Sequence, residues 1–415
     1  MFGSYKIRDC LYRPVAAVAK KVLPSSAVFY LRTLKLRKQY KDREIPQDLK
    51  NKKIFLWEEF AKKVLITNQQ PIVVHQQVIP WFTPLFQRPQ HMATAFAKLG
   101  CLSLYVTDEL RYGFVKLDDN LWLASVIDSE KIENAFRLFY STAGNLKYWY
   151  ERCPKNSRFV YEYIDHIDPK ISWSYTDNLR EGYQFATSGK FYRVLASSKN
   201  LFNELAQEQH LSKDTLILVP NGVNVSDYEK DNYFPSEDLK NRFSEFSKKY
   251  KKIVGYFGAL ANWLDYDLIN SIVTKRKDLG FVFIGPDYLG GAEKLHPSEN
   301  MLYLGPVNYS ELPYFSLKFD IAWIPFERGD IAKATSPLKL FEYFAMQKPV
   351  VVTQDLIECQ VYDEVFVAHD LDDLSRVFDK ALSVSEDKNF KMRLRKLAQE
   401  NDWIVRAQHY LDGLK

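Results

Sequence analysis

The residues best spaced for chemistry run from Thr335 to Val352. Ser336 is a favoured N-cap type, and Pro337 suits a first helical position, where a missing N–H costs nothing. Leu338, Phe341 and Ala345 recur at helical spacing and share an inward face. The pattern predicts that the helix stops before Gln347-Lys348-Pro349 and that Val350-Val351-Val352 is a buried strand. A helix opening here presents the free N–H groups of Leu338 and Lys339 and the positive end of its dipole, an anion site suited to phosphate. Lys339 adds a point charge. Glu342, one turn deeper, is spaced to accept two hydroxyls of a ribose. The same residues also fit a capped amphipathic helix with an ordinary Lys–Glu pair. Local pattern leaves both readings open.

Three further groups have chemical potential. The loop Gln76 to Arg88 carries Trp81, Phe82 and Phe86, whose faces suit sugar rings, and Arg88, which suits a phosphate or carboxylate. The alternative is a packed loop with Arg88 on the surface at a helix start. Asp165 and His166 follow the apolar run Arg158–Ile164, and a histidine there can hydrogen-bond a sugar hydroxyl or merely cap a strand end. Asp265-Tyr266-Asp267 has a spacing used by metal sites. It falls among Trp263, Leu264, Leu268 and Ile269, a periodicity that predicts a helix, and no other carboxylate cluster has metal spacing, so no metal site is expected.

The elements that must position these residues alternate. From Pro71 the chain runs strand, loop, helix, strand: Ile72–His75, a helix opened by Pro89 and closed by Gly100, then Leu102–Val106. Further strands are expected at Tyr192–Ala196, Leu216–Val219, Lys252–Phe257, Phe281–Ile284, Met301–Leu304 and Asp320–Pro325. Such alternation predicts parallel sheets, with ligands at the carboxyl ends of the strands. Asp227–Pro235 is polar and charged, which suits a linker, and Gly258 lets backbone approach a phosphate closely.

Three stretches together carry a resemblance: Thr335–Val352, Val219-Pro220-Asn221-Gly222-Val223-Asn224, and Ile253–Leu260. In order and spacing the chain from about Pro71 resembles the GT-B glycosyltransferases, especially family 4 and its relatives in bacterial wall and capsule polysaccharide synthesis. The resemblance implies an α/β fold of two Rossmann-like, doubly wound domains facing a cleft. It implies a donor site at Gly258, Ala259, Val307 (the nucleobase position), Ser336, Pro337, Leu338, Lys339 and Glu342, with His166 and Asp165 near the donor sugar. A final helix would cross back to the first domain. The sequence departs from the family pattern twice. The first of two glutamates would fall on Ala334, and no basic residue follows Gly258, so Arg328, Lys333 or Lys339 must supply the cation. The implied reaction moves a sugar from a nucleotide diphosphate sugar, with UDP as the base carrier, to a hydroxyl of a growing surface glycan. Retention of configuration and no metal or other cofactor are implied. The rivals are a non-catalytic glycan-binding or scaffold homologue and a nucleotide-sugar epimerase of the same fold.

The 415 residues allow two domains with large cores. The expected division is a basic helical extension 1–60, a first domain 61–228, a donor domain 229–390, and a crossing helix 391–415. Four scattered cysteines suit reduced thiols rather than a metal site. The sequence has no long apolar run and no signal-type segment, so a cytoplasmic protein is expected. Residues 1–53 hold 14 Lys/Arg against 4 Asp/Glu, within a chain of net charge +5. Apolar stripes at Val15, Val18, Val22 and Ala27, Tyr30, Leu34 run beside those charges. The extension fits either an anionic membrane surface, at the inner face of the plasma membrane, or packing on the first domain. Nucleic acid is a poorer match, since no nucleic-acid motif accompanies the charge.

Overall fold

The computed structural model describes residues 47–76, 79–83, 86–172, 176–230, 232–288 and 290–415. Both N-terminal helices expected from the sequence lie outside the described residues. Among the described residues, fifteen strands form two sheets. The first holds β1 Ile54–Phe55, β2 Ile72–Gln76, β3 Leu102–Thr107, β4 Phe114–Asp118, β5 Leu121–Ser125, β6 Phe136–Tyr140, β7 Arg158–Tyr163, β8 Arg193–Ala196 and β9 Leu216–Leu218. Their spatial order is β1-β4-β5-β3-β2-β6-β7-β8-β9. All pairs are parallel except β1–β4 and β4–β5. The second sheet holds β10 Ile253–Phe257, β11 Gly280–Ile284, β12 Met301–Gly305, β13 Ile321–Ile324, β14 Val350–Thr353 and β15 Val365–Ala368. It is wholly parallel, ordered β12-β11-β10-β13-β14-β15.

Strands buried on both faces read as continuous apolar runs, as β13 and β14 do. Strand order reverses beside β2 in the first sheet and beside β10 in the second. Open α/β sheets bind ligands at such switch points. Gly258 directly follows β10.

The domain limits differ from the sequence expectation at two places. Phe60 stacks on Phe114 with centroids 3.8 Å apart, and β1 pairs with β4, so the first domain begins before residue 61. The C-terminal segment is two helices rather than one. Lys388–Glu400 packs on the second domain through Phe390 and Leu394. Trp403–Gly413, capped by Asp402, buries Trp403 and Tyr410 in a first-domain cluster. Tyr192 and Arg193 of the first domain donate to the carbonyls of Leu414 and Gly413. Cys101, Cys153 and Cys359 are free and buried. No helix among the described residues is long and apolar enough to cross a membrane.

Candidate functional site

The site forms where the loop after β10 meets the helix Leu338–Ala345. Gly258 has φ +139, and a Cβ on the neighbouring Gly285 would lie 2.0 Å from its carbonyl oxygen. Two glycines therefore let the β10 and β11 turns touch. A Cβ on Gly258 itself would fall 2.9 Å from Lys339 Cε and 3.3 Å from Nζ, so the lysine lies directly over the bare loop backbone. Its ammonium also sits over the rings of Phe326 and Tyr256, at 5.4 and 5.6 Å. Desolvation pulls the Lys339 pKa down, while Glu342 opposes that shift. Ala259 is buried beside the loop, and its carbonyl accepts the Tyr256 hydroxyl.

The helix starts later than its sequence suggests. Pro337 is the extended N-cap, at φ −70 and ψ 124, and Ser336 stands outside the helix. The cause is long-range: Asn221 Nδ2 donates to the Ser336 carbonyl at 2.6 Å. The first helical residues are thus Leu338 and Lys339, whose N–H groups precede the helical repeat and have no carbonyl within it. Gln347, at φ +57, ends the helix where expected.

Glu342 is 7% exposed and accepts the Tyr228 hydroxyl at 2.9 Å. Burial pushes its carboxyl up to about 7, against the pull of Tyr228 and Lys339. Lys339 and Glu342 are therefore brought together with Gly258. The other proposed cations are not. Arg328 is exposed and donates to the His369 carbonyl, and exposed Lys333 lies 3.8 Å from Asp330. Val307 is buried after the β12 turn.

Ala334 is buried in the first-domain cluster, and its carbonyl accepts the Ser198 hydroxyl at 3.0 Å.

On the first-domain wall, His166 is 3.3 Å from Glu204, which raises its pKa; Asp168 and Asp330 add to the effect. Glu204 also accepts the Tyr163 hydroxyl. Asp165 lies exposed beside it. Partial desolvation raises its carboxyl, against the pull of Arg88.

Arg88 is not a surface residue. It is 3% exposed, pairs with Glu162 at 2.7 Å, and donates to Pro220 O and Asn221 Oδ1. Trp81 and Phe82 are half-buried on a first-domain cluster, with Trp81 edge-on to Tyr105 at 4.9 Å. The Trp81 backbone N–H donates to Glu109. The Asp-Tyr-Asp segment is also relocated. Asp265 caps the helix Tyr266–Lys275 by accepting Leu268 N–H, so it opens that helix rather than lying inside it. Among the described residues no group of three or more His, Cys, Asp or Glu is placed to hold a metal.

Sequence reasoning missed Tyr228 and Glu162, and it placed Asn221 in a motif without its contacts to Arg88 and Ser336. The one signal for Tyr228 was an aromatic residue within a polar linker. A further pocket of about 230 Å³ lies where helix Arg88–Lys98 meets the linker, lined by residues including Phe86, Lys98, Asp227, Lys230 and Tyr309.

No protein-family model matches the chain. Over 218 residues it is 25% identical to a Bacillus subtilis (strain 168) protein named as the teichuronic acid biosynthesis glycosyltransferase TuaH. The match covers 51% of this chain and 53% of that protein, so it spans about half the length of the curated relative. A crystal structure of a glycosyltransferase from Rickettsia africae ESF-5 superposes with a TM-score of 0.58 at 14% identity, over 84% of this chain and 98% of the other. Anabaena HepE, solved with UDP and glucose, superposes with a TM-score of 0.58 at 13% identity, over 83% and 99%. Two parallel-sheet Rossmann-like domains, joined through a linker and a returning terminal helix, give the chain the GT-B fold of these solved structures, and its sequence is similar to a wall-polysaccharide glycosyltransferase.

Proposed function

We propose that the chain is a glycosyltransferase that moves a sugar from a nucleotide diphosphate sugar to a hydroxyl of a growing bacterial surface glycan. One observation carries this: Lys339 lies over the bare backbone of Gly258 while Glu342, one turn on, is buried beside it. The leaving diphosphate is held by the Leu338 and Lys339 N–H groups and the lysine ammonium, which together stabilise developing charge. Glu342 accepts the ribose hydroxyls, and Val307 lines the nucleobase side. His166 and Asp165 face the sugar, and the reaction retains configuration without metal. UDP is the favoured carrier because the similar HepE structure holds it. TuaH, named for teichuronic acid synthesis, supports a wall-polysaccharide acceptor. The basic residues 1–53 hold the protein on the inner membrane face.

Ala334, shut into an inter-domain contact, favours a second reading, a binding homologue without turnover. Incubation with a panel of nucleotide sugars, with and without wall glycan and EDTA, separates the two. Acceptor-dependent, EDTA-resistant consumption of one donor supports transfer. Binding without consumption supports the homologue, and activity restored only by Mg²⁺ or Mn²⁺ contradicts the metal-free mechanism.

A further inference from the structure

Glu342 is met by a residue that belongs to neither sheet. Tyr228 ends a 3-10 turn, Val225–Tyr228, of the inter-domain linker. Its ring is buried in the second-domain core, and its hydroxyl donates to Glu342 Oε1 at 2.9 Å. The contact fixes how the carboxylate presents its second oxygen. The neighbouring Tyr309 donates to Asp227 Oδ2 at 3.3 Å, which ties the same turn to the segment after β12.

We infer that Tyr228 is a positioning residue for nucleotide recognition: its hydroxyl turns the Glu342 carboxylate toward the ribose hydroxyls of a nucleoside diphosphate. The inference rests on the nucleotide-sugar reading of this site. A phenol donating to a carboxylate is a charge-assisted bond, stronger than a neutral one. It also favours the ionised acceptor, and an ionised carboxylate accepts more strongly than the acid, one of whose oxygens has become a donor. The groups facing Glu342 are Tyr228 and Asp227 from the linker, Tyr309 from the segment after β12, and Lys339 and Tyr343 from its own helix. Lys339 and Tyr228 favour ionisation; burial and Asp227 oppose it. Removing the Tyr228 hydroxyl leaves more Glu342 protonated near neutrality, and alkaline pH restores the carboxylate.

The test is calorimetric titration of UDP, GDP and ADP into full-length wild type, Tyr228→Phe, Glu342→Gln and the double variant, at pH 6.5 and 8.5. For whichever nucleotide binds wild type, Tyr228→Phe should weaken affinity about tenfold at pH 6.5 and about twofold or less at pH 8.5. The double variant should bind no worse than Glu342→Gln, because the tyrosine acts through the glutamate. An equal loss at both pH values, or an additive loss in the double variant, overturns the positioning role and leaves the site reading standing. Glu342→Gln keeps the inference exposed even if Tyr228→Phe does not fold: pH dependence as strong in that variant as in wild type overturns it. If none of the three nucleotides binds wild type, the site reading itself fails.

Discussion

Replacing Gly258 with alanine separates the backbone's part in the site from the lysine's. At φ +139 a residue with a Cβ is strained by roughly 1–3 kcal/mol, which sets the expected loss of stability. The new Cβ would lie 2.9 Å from both Lys339 Cε and the Tyr256 hydroxyl. Tyr256 is fully buried with its hydroxyl tied to the Ala259 carbonyl, whereas the lysine chain has other rotamers, so the lysine gives way. Losing a charge-assisted contact to a diphosphate costs about 1.5–3 kcal/mol, or about a tenfold to hundredfold weaker affinity. Nucleoside diphosphate and monophosphate are then titrated into both proteins, with thermal melting as the control. The diphosphate should lose most of its advantage over the monophosphate in Gly258→Ala. An alanine variant that melts lower yet binds the diphosphate like wild type refutes the placement of Lys339 at the phosphates.

Four further outcomes are expected. Lys339→Met removes a desolvated charge from between two aromatic rings, so the ligand-free protein should melt no lower than wild type while donor turnover falls at least about tenfold; lower melting with normal turnover contradicts this. Buried Glu342 is raised to about 7, so the native state keeps a proton that the unfolded chain has released. Its contribution to stability therefore falls as pH rises from about 4.5 to 7, and Glu342→Gln should flatten that fall in a melting series. Arg88→Met strands Glu162 in the core and should cost about 3–5 kcal/mol by denaturant titration, whereas a surface arginine would cost almost nothing. Full-length protein should pellet with phosphatidylglycerol vesicles at low salt and partly release at high salt, and failure to pellet makes residues 1–53 structural.

Much of this fold was legible because parallel sheets write themselves locally. Apolar runs such as Val350–Thr353 and helices with one apolar stripe announce their type within a few residues. The glycine after β10 and the Lys339–Glu342 spacing were likewise visible. What stayed hidden was pairing across the chain. Arg88 finds Glu162 74 residues away and Asn221 133 away, so its place in the loop pointed to a phosphate or carboxylate ligand when its partners lay in the core. Tyr228 reaches Glu342 across 114 residues. Pro337 looked like a first helical residue, and only the Asn221 contact from the linker makes it the cap. The single helix expected near the C-terminus split at Asn401–Asp402, where Asp402 caps a new helix that changes domain.

The most direct test of the central claim is a crystal structure with the nucleoside diphosphate that binds best. The β-phosphate should lie within hydrogen-bond distance of the Leu338 and Lys339 N–H groups and of Lys339 Nζ, with the ribose hydroxyls on Glu342. A nucleotide lodged elsewhere, such as in the linker pocket between Phe86, Lys98 and Tyr309, contradicts the account.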